Sequence, residues 1–97
     1  MINWFDARDA QKFGATLANF FIERIPLEKP NKKIKSMAKK QEVLNTMFSQ
    51  IPPFKVKHKL NIYKKAKLGN AFKWKLLDAG YDPEIVDELT KELLLKF

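Results

Sequence analysis

The chain has 97 residues, of which 45% are hydrophobic and three are glycine; this suffices for one hydrophobic core and differs from the composition of disordered chains. It contains no cysteine, which excludes disulfides, thiolate zinc sites and a cysteine nucleophile. The net charge of +8 is unevenly spread, because residues 29–75 hold fourteen lysines and one acid (+13), whereas residues 1–28 sum to −1 and residues 76–97 to −4. We expect one domain spanning residues 1–97, with a basic middle between two acidic ends.

The N-terminus and the length of the apolar runs bear on the cellular compartment of the protein. MINWFDARDA has no basic start followed by an apolar run, so it lacks the pattern of a secretory signal. No uninterrupted apolar stretch approaches the ~20 residues that a membrane span needs. We expect a cytoplasmic protein without a membrane span.

The first predicted helix runs from about Phe5 to Ile25 and ends at Pro26. Its apolar side chains cover about 200° of a helical wheel, more than the stripe of about 100° that a helix needs to face one core. A smooth strip of small residues runs along it at a spacing of four: Ala10, Gly14 and Ala18. A second helix can approach closely there, either from the same domain, the interpretation we favour, or from another subunit.

A second helix is predicted from about Lys32 to Ile51, after a linker that contains two prolines. Apolar side chains recur along it at three- and four-residue spacing from Ile34 onward, which indicates one buried face. We expect Pro52 and Pro53 to end it, because the residue before a proline disfavours the helical conformation.

The third segment is ambiguous at its start. Apolar residues alternate between Phe54 and Ile62, so a short extended segment near residues 54–60 is an alternative to helix. From Asn61, a suitable N-cap, a helical pattern runs to Gly80, which suits a helix C-terminus. The apolar positions expected on this helix are Ile62, Ala66, Gly69, Phe72, Leu76 and Ala79.

The last helix has the clearest start signals, with Asp82 as N-cap, Pro83 at the first helical position and Glu84 in the first turn. Its apolar side chains share one face, and the acids lie opposite: the apolar set is Ile85, Val86, Leu89, Leu93, Leu94 and Phe97. Together the segments predict an all-α fold, a small bundle of about four helices with short connections that contain proline and glycine.

No residue pattern predicts an enzyme. His58, the only histidine, stands among lysines with no acid within three residues to orient it. Glu84, Asp87 and Glu88 share the polar side of the last helix, which does not bring them together around an inward metal ion. We expect no catalytic site, no metal, no cofactor and no small-molecule substrate.

The stretch LLDAGYDPEIVDELTKELLL has the outline of a helix-turn-helix motif. In that motif the second helix enters the major groove, between the phosphate backbones. Here the second helix carries four acids and two lysines, so phosphate would repel it. The sequence therefore does not predict major-groove recognition of DNA.

Binding of a polyanion without sequence specificity is the leading functional prediction. Tyr63, Lys67, Asn70 and Trp74 fall along one border of a lysine patch, and aromatic rings beside cations are what many proteins use to hold single-stranded nucleic acid. A second lysine cluster is expected at the start of the second helix, where the helix dipole attracts anions. The candidate binding residues are Lys32, Lys33, Lys35, Lys64, Lys67, Lys75, Tyr63 and Trp74.

Two other interpretations stay open. Lysine-rich faces keep many helices soluble, and lysine lacks the planar fork with which arginine binds phosphate. Alternatively the basic and acidic segments pair with each other, within one chain or in a homodimer. In a homodimer the partner is a second copy of the chain. An acidic protein is the alternative to nucleic acid as the anionic partner of the basic middle. The candidate oligomer contacts are Ala10, Gly14, Ala18, Phe21, Leu95 and Phe97.

Overall fold

The structure, a computed structural model, describes residues 7–25, 27–28, 33–34, 37–57 and 60–97. This part of the chain contains five helices and one pair of two-residue strands: α1 (Arg8–Arg24), β1 (Leu27–Glu28), β2 (Lys33–Ile34), α2 (Met37–Phe48), α3 (Ile51–Lys57), α4 (Ile62–Asp78) and α5 (Pro83–Leu95). The predicted all-α class is confirmed. Among the described residues, no helix has the length and apolar character required to cross a membrane.

α4 lies at the centre of the fold, with α1 and α5 packed along it. Gly14 of α1 lies against Leu68 of α4, and the Tyr81 hydroxyl, just beyond α4, donates a hydrogen bond to the Ile25 carbonyl at the end of α1. α1 and α4 therefore run in the same direction. α5 returns antiparallel after a tight turn, with Leu94 against the middle of α4.

One hydrophobic core joins all five helices. Its largest fully buried side chains are Leu17, Phe21, Leu44, Met47, Ile51, Leu68, Phe72, Leu76, Val86, Leu89 and Leu93. No buried side-chain nitrogen or oxygen of the described residues lacks a hydrogen-bond partner. The apolar face predicted for the last helix is confirmed, because five of its six members are buried in this core or packed against it, and the sixth, Leu94, is half-buried beside Gly69.

Both predicted N-caps are confirmed by hydrogen bonds. The Lys64 backbone N–H donates to the side-chain oxygen of Asn61 at 2.8 Å, and the Glu84 N–H donates to Asp82 at 2.8 Å. Each bond satisfies a backbone donor that has no partner within its helix. Pro83, as predicted, occupies the first position of α5.

The end of α4 at Gly80 is also confirmed. Gly80 has a φ of 99°, in the left-handed region that favours glycine. The Gly80 N–H donates to the Leu77 carbonyl at 3.0 Å, and the Tyr81 N–H donates to the Leu76 carbonyl at 3.2 Å. These two bonds satisfy carbonyls of the last turn and turn the chain back toward α5.

The predicted start of the second helix is wrong. Leu27 pairs with Ile34, and Glu28 with Lys33, in an antiparallel strand pair, and α2 begins only at Met37. The segment after the linker therefore makes backbone hydrogen bonds to the linker instead of opening a helix. Lys33 consequently does not lie at a helix N-terminus. Lys32 and Lys35 lie outside the described residues.

α2 ends at Phe48, three residues before the predicted end at Ile51, and the two prolines expected to end it, Pro52 and Pro53, belong to the start of the next helix. Both lie in the first turn of α3, where backbone N–H groups have no intrahelical partner and proline is tolerated. Residues 54–57 are helical, so the extended alternative fails for them. The Phe54 ring stacks on Phe13 of α1 with 4.0 Å between centroids. His58 lies outside the described residues.

The buried face of α4 is rotated relative to the prediction. Leu68, absent from the predicted set, is fully buried, whereas Ile62 is 85% exposed and Ala66 and Ala79 are exposed. The reason is the position of α1, whose Gly14 meets α4 at Leu68. The predicted members that are buried are Gly69, Phe72 and Leu76.

Candidate nucleic-acid interface

The side of α4 that points away from the core carries four of the residues on which the polyanion prediction depends. Asn70 and Trp74 are exposed, and Tyr63 and Lys67 are half-buried. Their spacing of four, three and four residues places them on one side of the helix. We call Tyr63, Lys67, Asn70 and Trp74 the outer face of α4.

A cation–π contact joins two side chains in the N-terminal half of the outer face. The Lys67 ammonium nitrogen lies 5.5 Å from the centroid of the Tyr63 ring, within the reach of about 6 Å for such contacts. The contact holds an aromatic ring and a positive charge side by side. A nucleotide offers the complementary pair, a base that stacks and a phosphate that is negative.

Trp74 occupies the other half of the outer face and is 60% exposed. Eleven residues separate it from Tyr63, which corresponds to roughly 16 Å along the axis at about 1.5 Å per residue. Nucleotides in a stacked strand are about 3.4 Å apart, so the two rings span about five nucleotide steps. The outer face is therefore long enough for a short single strand.

One border of the outer face is basic. Lys64 and Lys75 lie there, half-buried and exposed respectively. It is the border on which α1 packs, because a side chain at Gly14 would contact Ala71 of α4. In total α4 carries five lysines and a single acid, Asp78, in its last turn.

On the opposite side of the outer face α4 contacts α5. The Lys73 ammonium nitrogen of α4 is 3.7 Å from an Asp87 carboxylate oxygen of α5. Glu84, Glu88 and Glu92 are exposed on the same helix. Lys91, one turn after Asp87, is exposed too, so this border carries charges of both signs, whereas the border with Lys64 and Lys75 is basic.

The Lys73–Asp87 ion pair joins the basic and acidic segments within one chain, as one of the open interpretations expected. Both side chains are well exposed, at 39% and 59%, and ion pairs of this kind contribute at most about 1 kcal/mol. The pair links α5 to α4 and involves one of the five lysines of α4.

The predicted oligomer contacts separate into two groups. The four on α1 are buried inside the chain: Ala10, Gly14, Ala18 and Phe21. Phe97 packs, partly buried, against the core. Leu95 is 83% exposed on the polar side of α5. Of the predicted contacts, Leu95 is thus the one whose side chain is mostly in solvent.

Two exposed apolar side chains were not predicted. Ile62, assigned to the core from the sequence, adjoins Tyr63 at the start of α4, and Val56 of α3 is 89% exposed. The sequence contained an indication that Val56 is exposed, because the two residues that flank it on a short helix, Lys55 and Lys57, are charged. The exposure of Ile62 had no such signal.

Within the described part of the chain, no group of three or more histidine, aspartate or glutamate side chains is placed to hold a metal ion. No protein-family profile, no curated protein and no solved structure matches the chain.

Proposed function

We propose that the protein binds single-stranded nucleic acid, without sequence specificity, through the outer face of α4. The observation that carries the proposal is the Trp74 ring, 60% exposed on the same side of the helix as the Tyr63–Lys67 contact. Packing of the core does not require a tryptophan at a position that is mostly in solvent. A base, by contrast, gains about 1–3 kcal/mol from stacking on an aromatic ring.

The charge of α4 supports the same partner. Lys64, Lys67 and Lys75 offer three ammonium groups on and beside the outer face, and each phosphate that they neutralise releases bound counterions. Lysine attracts phosphate as a point charge and lacks the fork that reads a guanine edge bidentately. The expected binding is therefore dependent on salt and nearly independent of base sequence.

The first test substitutes Trp74 in two ways. Trp74→Leu removes the aromatic surface and keeps apolar bulk, whereas Trp74→Phe keeps a ring. Loss of one stacking contact of about 1–3 kcal/mol weakens binding roughly 5- to 150-fold. We expect that loss in Trp74→Leu and a much smaller one in Trp74→Phe, measured by fluorescence anisotropy of a labelled single-stranded oligonucleotide.

The second arm of the same experiment removes charge. Lys67→Gln with Lys75→Gln removes two cations from the proposed interface, and Lys12→Gln with Lys96→Gln removes one from α1 and one just after the end of α5. For single strands the salt slope falls by about 0.7 per lost phosphate contact. We expect the first pair to reduce the slope by about 1.4 between roughly 50 and 200 mM salt, and the second pair to leave it nearly unchanged.

Absence of binding by the wild-type protein at low salt, or equal losses in both lysine pairs, would contradict the proposal. The outer face would then be a solvated helix surface. In that case self-association through the exposed Leu95 and the acidic side of α5 becomes the leading hypothesis. A melting temperature that rises with protein concentration would support it.

A further inference from the structure

The line of side chains that forms the outer face of α4 continues to an acid. Asp78 lies four residues after Trp74 on the same helix, a spacing that places it on the same side one turn further on, and it is exposed. We infer that Asp78 closes the proposed interface beyond Trp74, so that the protein holds a segment of about six nucleotides. This inference rests on the proposed function and adds the residue that limits the length of the bound strand.

The spacing of the two aromatic rings sets the length of that segment. Tyr63 and Trp74 are roughly 16 Å apart along the helix axis at about 1.5 Å per residue. This distance corresponds to about five steps of a stacked strand at about 3.4 Å each, which join about six nucleotides. Asp78 lies about 6 Å beyond Trp74 along the axis. A strand that continued along α4 would therefore bring its next phosphates level with the carboxylate.

The position of Asp78 is unfavourable for the helix itself. The C-terminus of a helix carries a partial negative charge, so a carboxylate in the last turn destabilises it. α1 and α5 each have an acid in the first turn, the order that the dipole favours. α4 has no acid in its first turn, where Lys64 and Lys65 lie instead. Helix stability therefore does not explain the acid at the end of α4, whereas closure of the interface does.

Lys75 is the last cation that a strand following α4 meets. It lies in the same turn as Asp78, but Asp78 makes no ion pair with any described residue. After Lys75, residues 76–90 contain five acids and no lysine or arginine. The next two of these acids, Asp82 and Glu84, are exposed where the chain turns into α5. A strand can therefore be held as far as Lys75, and beyond it this part of the chain offers only negative charge.

The test measures how the effect of Asp78 depends on the length of the strand. Asp78→Lys replaces the carboxylate by a cation, and Glu42→Lys makes the same change in net charge at an exposed position of α2. Fluorescence anisotropy measures the affinity of each variant for labelled oligothymidylates of about six and about twelve nucleotides. Each affinity is divided by that of the wild-type protein for the same oligonucleotide, which cancels the larger number of binding registers on the longer strand.

On the longer strand, Asp78→Lys should bind about threefold to tenfold more tightly than Glu42→Lys at about 50 mM salt, because it exchanges a repulsion at about 6 Å for an attraction. Its salt slope should be steeper by about 0.7, the value of one added phosphate contact on a single strand. On the shorter strand, which ends near Trp74, the two variants should differ less than about twofold. Circular dichroism melting of each variant establishes that the helices remain folded.

Two results would overturn the inference alone. The two variants could bind the longer strand equally well, or Asp78→Lys could gain as much on the shorter strand as on the longer one. In both cases the wild-type protein still binds, so the proposed function stands. Failure of the wild-type protein to bind either strand at low salt would instead overturn the proposed function and the inference with it.

Discussion

The two long sides of α4 come from the same seventeen residues but are explained by different physical requirements. The side that packs on the core, which we call the inner face, consists of Leu68, Gly69, Phe72 and Leu76. Its residues are dictated by its neighbours, since a glycine lies against α5 and large apolar side chains fill the space between α1, α2 and α5. On the outer face Asn70 and Trp74 are exposed and Tyr63 and Lys67 are only half-buried, yet the face holds two aromatic rings. Packing therefore explains the inner face, and we propose that the composition of the outer face serves binding.

The largest expected effect tests this difference by truncating one aromatic side chain on each face. Phe72 is fully buried, so Phe72→Ala leaves a cavity and should lower the free energy of unfolding by about 3–5 kcal/mol. Trp74 is 60% exposed, so Trp74→Ala should lower it by less than about 1 kcal/mol. Urea unfolding at neutral pH measures both.

A large loss of stability in Trp74→Ala would contradict this difference between the two faces of α4. It would mean that the tryptophan is required for packing, and weaker nucleic-acid binding by that variant would then report partial unfolding. The urea experiment therefore serves as the control for every affinity measured with a Trp74 variant.

The next effect concerns the two glycines at which α4 meets its neighbours. A Cβ at Gly14 would overlap the Leu68 carbonyl oxygen, which belongs to the backbone and cannot move alone. A Cβ at Gly69 would lie 3.1 Å from a methyl carbon of Leu94, the end of a flexible side chain. Gly14→Ala should therefore destabilise the protein by about 1–3 kcal/mol.

Gly69→Ala is the matched control, because it adds the same methyl group within a helix. Its small steric cost is offset by the better helix propensity of alanine, worth up to about 1 kcal/mol. We expect a net change close to zero by the same urea measurement. Equal destabilisation by both substitutions would show that α1 and α5 approach α4 equally closely, contrary to the contacts described above.

The features that the sequence predicted correctly depend on neighbouring residues. Asn61 and Asp82 cap helices through bonds to residues two or three positions further on, and Gly80 ends α4 through bonds within the same turn. The outer face was predicted for the same reason, because the helical repeat alone places Tyr63 and Trp74 on one side.

The features that were missed depend on residues far away in the chain. Lys33 is in a strand because it pairs with Glu28, and α4 is rotated because Gly14 of α1 meets it at Leu68. The ion pair between α4 and α5 belongs to this second group. The helical pattern of α5 shows that Asp87 is exposed, but only the packing of α5 on α4 brings it within 3.7 Å of Lys73.

The smallest expected effect concerns Tyr81, which anchors the end of the inner face to α1. Its buried hydroxyl donates a hydrogen bond to the Ile25 carbonyl, and its ring meets Phe21 edge-on at 5.5 Å. Tyr81→Phe keeps the ring contact and removes the hydrogen bond, so at neutral pH it should lower the free energy of unfolding by about 0.5–1.5 kcal/mol.

The same residue predicts a dependence on pH. Burial raises the pKa of the Tyr81 hydroxyl above its ordinary value of 10.0. Above that pH the unfolded chain loses the proton while the folded chain keeps it, so the free energy of unfolding falls as pH rises. Tyr81→Phe lacks this contribution, and the stability difference from wild type should shrink between neutral pH and the most alkaline pH at which both proteins fold. A difference that stays constant over this range would mean that the hydroxyl titrates alike in the folded and unfolded chains, and so that water reaches the contact between α1 and the end of α4.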